Sequence, residues 1–173
     1  MTVLAFSRKH KQLASDSLTS FGEMVFDNNH KIFQLANGAY LACAGDSDSR
    51  DVMDVLGKCT YDNPSSRKDL AETRTWFQGI LVFPDQDRVY AVFIEPTDED
   101  EDKWTASVHE IMGEFVALGH GMEFAYGVLE AGGTPEEAVK ATCKRDLTCG
   151  LPVQVVNFQP KVKKVRKTKV DTE

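Results

Sequence analysis

Residues 2–18, TVLAFSRKHKQLASDSL, carry the pattern that decides the architecture. Residues 2–6 (TVLAF) are β-branched and apolar, the polar SRKHKQ at 7–12 turns the chain, and residues 13–18 (LASDSL) resume an extended segment. Met24–Phe26 and residues 31–35 (KIFQL) then flank an Asp27-Asn28-Asn29 turn. Asn37-Gly38, a strong hairpin signal, leads into residues 39–44 (AYLACA). Loops this short join mostly antiparallel neighbours, so the start of the chain reads as five short β segments.

Helical signals come next. After Gly45, Asp46-Ser47 can cap a helix with Val52, Val55 and Leu56 on one face, ended by a loop containing Asn63-Pro64. Ser65 or Ser66 can cap a second helix whose buried stripe is Leu70, Thr73, Trp76 and Phe77. Strands return at residues 80–83 and 88–94, joined by a Pro84-Asp85-Gln86-Asp87 turn. The acidic run at 98–102 reads as a solvated loop tip, because it lacks the interleaved ligands and glycine of a calcium loop. Residues 104–109 and 114–118 read as another strand pair.

Gly119-His120-Gly121 turns the chain into a helix over Met122–Glu130. Thr134, Pro135 and Glu137 spell a cap, a first helical residue and a capping box for a helix reaching about Lys144. Residues 151–158 supply a last strand. Strands, two helices, strands, two helices, strand: that order disfavours a doubly wound parallel sheet. It predicts an α+β fold, a four-layer αββα sandwich of two antiparallel sheets with a helix pair on each outer face. Residues 1–160 are expected to form one domain, and residues 161–173 a basic, disordered tail.

The 173-residue length suits a single domain that needs no disulfide or metal staple. The net charge of −7 conceals an asymmetry, because six basic side chains face only Asp171 and Glu173 over residues 161–173. The acidic body disfavours nucleic acid and anionic membranes as its main partners. No apolar run approaches the roughly 20 residues of a membrane span, and the start lacks the order of a signal peptide, so a cytoplasmic location is expected. Cys43, Cys59, Cys143 and Cys149 are expected as free thiols, since none of their spacings resembles a zinc site.

No P-loop, GxGxxG, GxSxG or HExxH motif is present. What remains is Thr2. Removal of Met1, favoured by the small second residue, would place a free α-amine beside a hydroxyl on one residue. The ordinary pKa of such an amine, about 7.7–8.0, suits a general base, so Thr2 could supply both nucleophile and base. By itself Thr2 reads as an ordinary first strand residue, since many chains begin Met-Thr.

Five further stretches change the case. Asp16 in ASDSL, Lys31 in KIFQL, Gly45 in CAGDSDS, and the pair Gly119-His120-Gly121 and Asp146-Leu147-Thr148-Cys149-Gly150 follow Thr2 in order. The arrangement resembles the proteasome β-subunit family of N-terminal-threonine (Ntn) hydrolases, and especially its bacterial relative HslV, from Thr2 to about Phe158. The resemblance implies catalytic roles for Thr2, Asp16, Lys31, Gly45 and Asp146, supported by Ser17, His120 and Cys149. Lys31, paired with Asp16, would lower the pKa of the Thr2 hydroxyl and stabilise the oxyanion. The Gly45 N–H would donate to that oxyanion, and Asp146 would position the α-amine. Leu18, Phe21, Phe33 and Ser49 are candidates for a pocket lining.

Two positions depart from the family's pattern. His120 stands where a serine commonly separates the glycines, and Cys149 where a serine follows the Asp. A thiol is a poor donor, and an imidazole is bulkier and titrates. The resemblance implies a threonine peptidase acting on peptides or unfolded proteins in a homo-oligomeric ring, with an ATPase unfoldase as possible partner and no cofactor or metal. The alternative is an inactive ring-forming scaffold or regulator of the same fold. Exposure of Thr2 is expected to need removal of Met1 by another enzyme.

Overall fold

The computed structural model describes residues 2–21, 24–27, 29–45, 49–64, 66–97 and 100–158, with backbone alone at 20, 21, 24, 100 and 101. Along these residues run β1 (Val3–Ser7), β2 (Gln12–Ser15), β3 (Thr19–Phe21), β4 (Met24–Phe26), β5 (Ile32–Gln34) and β6 (Tyr40–Gly45). Then come α1 (Arg50–Leu56), α2 (Arg67–Glu72), β7 (Phe77–Phe83), β8 (Arg88–Thr97), β9 (Asp100–Glu110) and β10 (Phe115–Gly119). The helices α3 (Met122–Glu130) and α4 (Pro135–Cys143) and the strand β11 (Gln154–Asn157) follow.

Two antiparallel sheets form the middle layers, ordered β10-β1-β2-β11 and β5-β6-β7-β8-β9. The period of two along each strand sorts side chains into separate cores. On β1, Leu4 and Phe6 enter the core between the sheets, while Val3 and Ala5 enter the core shared with Ala125 and Leu129 of α3 and Ala138 and Val139 of α4. On β8, Val89 and Ala91 face the inter-sheet core, and Tyr90, Val92 and Ile94 pack with Val52 and Leu56 of α1 and Leu70 of α2. Both faces of these strands are covered, which is why segments such as TVLAF read as unbroken apolar runs rather than alternating ones. The expected αββα sandwich is the observed architecture.

Local signals hold where the chemistry is short-range. Thr134 and Glu137 close their capping box at the start of α4, and Ser66 accepts the Asp69 N–H at the start of α2. Ser49 occupies the cap position of α1, whereas Asp46, Ser47 and Ser65 lie outside the described residues. Residues 98 and 99 and the tail from residue 159 onward also lie outside them.

Three expectations need correction. The second helix stops at Glu72, because Arg74 takes a left-handed φ of 49° that no helix continues through. Trp76 is exposed and Phe77 is buried as the first residue of β7. Asp100 to Asp102 belong to β9, an edge strand, where charge discourages pairing with another chain. Finally, β9 and β10 are not partners: β9 pairs with β8 and β10 with β1. The chain changes sheet at residues 111–114, and the Arg8 guanidinium stabilises that corner by donating to the carbonyls of Ile111 and Gly113, at 2.5 and 3.1 Å. Among the described residues no helix is long and apolar enough to cross a membrane.

Candidate active site

β2 ends at Ser15, so the next carboxylate leaves the ladder and turns into the protein. Asp16 Oδ1 accepts the Val3 N–H at 3.1 Å, and Oδ2 accepts those of Leu18 and Gly150, also at 3.1 Å. These donors fix the carboxylate before any side chain reaches it. Lys31, immediately ahead of β5, then donates from Nζ to Asp16 Oδ1 at 2.8 Å, to the Leu18 carbonyl at 2.5 Å and to Thr2 Oγ1 at 2.7 Å. Asp16, Lys31 and Thr2 are 0%, 5% and 7% exposed. An ammonium has only donors, so Thr2 Oγ1 accepts from Lys31 and its own hydroxyl proton remains for another base.

Sequence reasoning missed Gln154, the first residue of β11. Its Oε1 accepts the Lys31 N–H at 2.9 Å, and its Nε2 donates to Ser17 Oγ at 2.9 Å and to the Asn29 carbonyl. Gln154 thereby fixes the backbone from which the lysine projects. Ser17 Oγ accepts from Gln154 Nε2 and donates to the Pro152 carbonyl at 2.5 Å.

Glycine is required at two places around Thr2. Gly45 has φ +143°, and a Cβ there would lie 2.2 Å from the Trp76 carbonyl oxygen. Gly119 has φ +90°, and its Cβ would lie 2.2 Å from the Thr2 carbonyl oxygen. The Cys43 N–H donates to the Lys31 carbonyl at 2.9 Å. Strand alternation turns the Gly45 N–H to that same side, past the point where β5 begins. Thr2, Lys31, Gly45 and His120 share a cavity of about 1480 Å³. Leu18, Phe33 and Ser49 line it as expected, together with Cys43 and Met53, while the Phe21 side chain is outside the described residues.

Asp146 forms a cluster with His120 and Thr148. Its carboxylate meets His120 Nδ1 at 3.0 Å and accepts from Thr148 N at 2.9 Å and Thr148 Oγ1 at 2.6 Å. The Thr148 hydroxyl above all, with His120 adding to it, holds the Asp146 carboxyl down at about 2. Cys149 is buried, and desolvation pushes its thiol up to about 12, so it offers no thiolate nucleophile near neutral pH. Burial likewise raises Cys43 to about 11 despite the nearby Lys31. All four cysteines are free thiols. Among the described residues no three His, Cys, Asp or Glu side chains gather as a metal site.

Chemically, the cluster presents a hydroxyl at the wall of a cavity, touched by a fixed ammonium and followed by a glycine-lined edge. Such a surface suits attack on a carbonyl with stabilisation of the resulting oxyanion.

No protein-family model and no curated protein matches the sequence. Among solved structures, Thiobacillus denitrificans BPH in complex with epoxomicin is similar, with a TM-score of 0.66 and 19% identity over 92% of this chain and 100% of that one. A second structure of Thiobacillus denitrificans BPH gives a TM-score of 0.62 at 18% identity with the same coverage. At these identities the likeness is one of fold, the αββα sandwich of two antiparallel sheets between helix pairs.

Proposed function

We propose that the protein is a threonine peptidase whose nucleophile is Thr2, exposed as the first residue when Met1 is removed. One observation carries the reading: the Lys31 ammonium, fixed by Asp16, touches Thr2 Oγ1 at 2.7 Å on a cavity large enough for a peptide. The α-amine takes the hydroxyl proton, Oγ attacks the peptide carbonyl, and the Gly45 N–H donates to the oxygen that becomes negative. Lys31 stabilises the nucleophile as its charge develops. Collapse releases the amine half of the substrate, and water then hydrolyses the ester on Thr2.

The solved structure of similar fold that contains the proteasome inhibitor epoxomicin supports this reading. The proposal extends to a homo-oligomeric ring, for which the exposed Met122 and Phe124 on α3 offer apolar contact surface, and to an ATP-driven unfoldase as partner. Intact-mass analysis of protein from its native cell, followed by fluorogenic-peptide assays of wild type and Thr2→Ala, tests it. The reading expects loss of one methionine and turnover abolished by Thr2→Ala. Retention of Met1, or turnover that survives Thr2→Ala, contradicts it and leaves the inactive scaffold.

A further inference from the structure

The mechanism above leaves His120 and Asp146 without a task, yet their geometry is specific. His120 Nδ1 lies 3.0 Å from Asp146 Oδ2 and 3.3 Å from Thr148 Oγ1. The Thr148 hydroxyl proton is committed to Asp146 Oδ1 at 2.6 Å, so toward the imidazole that oxygen offers only a lone pair. Two acceptors therefore converge on one ring nitrogen. Nδ1 must carry the proton, and in the neutral ring Nε2 keeps its lone pair.

The position of the ring also points toward the nucleophile. Gly119 lies against the Thr2 carbonyl, and the Gly121 N–H reaches that same oxygen at 3.5 Å, so the backbone on both sides of His120 wraps Thr2. The side chain is 58% exposed and borders the cavity that holds Thr2 and Lys31. Asp146, depressed to about 2, is a standing anion at neutral pH. The charged or titratable groups around the ring are Asp146 and Arg145 after α4 and Glu123 on α3, with Lys31, His30 and Arg50 lining the cavity it borders.

We propose that His120, oriented by Asp146 and Thr148, is the proton carrier of the Thr2 site, moving protons between the α-amine and the substrate's leaving nitrogen. The inference rests on the threonine-peptidase reading. In acylation the Thr2 Oγ–carbon bond forms as the carbonyl electron pair moves onto oxygen, and the hydroxyl proton passes to the α-amine and on to Nε2. Collapse restores the carbonyl and breaks the carbon–nitrogen bond, and the imidazolium protonates the departing amine. In deacylation water attacks the ester carbon, its proton travels the same path in reverse, and Thr2 Oγ leaves with it. The imidazole ends each half-reaction neutral, so no further reactant is needed.

The test measures kcat and KM against pH on a fluorogenic peptide, using full-length protein with Thr2 exposed and Thr2→Ala as the blank. His120→Gln is expected to lower kcat about 100-fold, the scale of general acid–base catalysis, with KM changed by less than about twofold. It also changes the shape of the pH profile of kcat. Asp146→Asn, which frees the ring to rotate and to change tautomer, lowers kcat about 10-fold. His120→Ser recovers part of the rate, since a hydroxyl both accepts and donates a proton. A His120→Gln enzyme with wild-type kcat and pH profile overturns the proposal and leaves Thr2 as nucleophile. Wild-type turnover no faster than the Thr2→Ala blank overturns both.

Discussion

Thr2 lies between two charged clusters built on opposite terms. Toward the inter-sheet side, the Asp16 and Lys31 side chains are 0% and 7% exposed and held by backbone groups from several segments. On the cavity rim, His120 is 58% exposed and leans on a short connection between α4 and β11. A sealed pair provides a fixed field whose strength water does not dilute. An open pair can exchange protons with solvent and substrate. The contrast assigns electrostatics to one cluster and proton traffic to the other.

The largest effect comes from breaking the sealed pair. Lys31→Met leaves the Asp16 carboxylate buried without its counter-charge, so unfolding stability is expected to fall by about 3–5 kcal/mol in a urea titration. Turnover is lost with it. Replacing both partners, Lys31→Met with Asp16→Asn, removes the lone charge and keeps a side-chain oxygen for the backbone N–H groups, so it restores part of the stability but no activity. If the single and double variants are equally unstable, the pair is not the source of that cost.

Next comes the glycine edge. Gly45→Ala forces a methyl group against the Trp76 carbonyl and a side chain into φ +143°, an expected loss of about 1–3 kcal/mol seen as a lowered thermal midpoint. An unchanged midpoint contradicts the close approach.

The open cluster gives a smaller, pH-dependent signal. Asp146 is depressed from its ordinary 3.8 to about 2, so its stabilising contribution is fully present above pH 3.8 and is lost as the pH falls toward 2. Urea midpoints of wild type and Asp146→Asn are therefore expected to differ at pH 5 and to converge near pH 2. A constant gap across that range contradicts the assigned hydrogen bonds. Smallest of all, Cys43, Cys143 and Cys149, raised to about 11, 11 and 12, are expected to alkylate slowly in the native protein at pH 8 and faster after unfolding. Fast native labelling of Cys149 contradicts its burial.

What the sequence disclosed follows the range of each interaction. Thr2, Asp16, Lys31 and Gly45 stood out through their ordered resemblance to a known family, not through any one residue alone; in the structure Lys31 hydrogen-bonds both Thr2 and Asp16. Gln154 was not legible, because it reaches Lys31 only through the pairing of β11 with β2, across 123 residues. The His120 contact of Asp146 was not legible either, because nothing local shows that its loop closes on a residue 26 positions earlier. The apolar period through Trp76 and Phe77 continued the helix on paper; Arg74 interrupts it without a glycine or proline to mark the break. Phe77 is buried all the same, in the strand that follows. The division of β9 from β10 depends on Arg8 bracing the corner, more than a hundred residues away in sequence.

The central claim is that the hydroxyl beside Lys31 and the α-amine of the same residue act together. A peptide epoxyketone, which needs both groups to form its ring adduct, tests this on protein with Thr2 as first residue. Tandem mass spectrometry is expected to locate one inhibitor on Thr2, with no adduct on Thr2→Ala or on protein that keeps Met1. An unmodified Thr2 after prolonged incubation, or an adduct on another residue, would contradict the account.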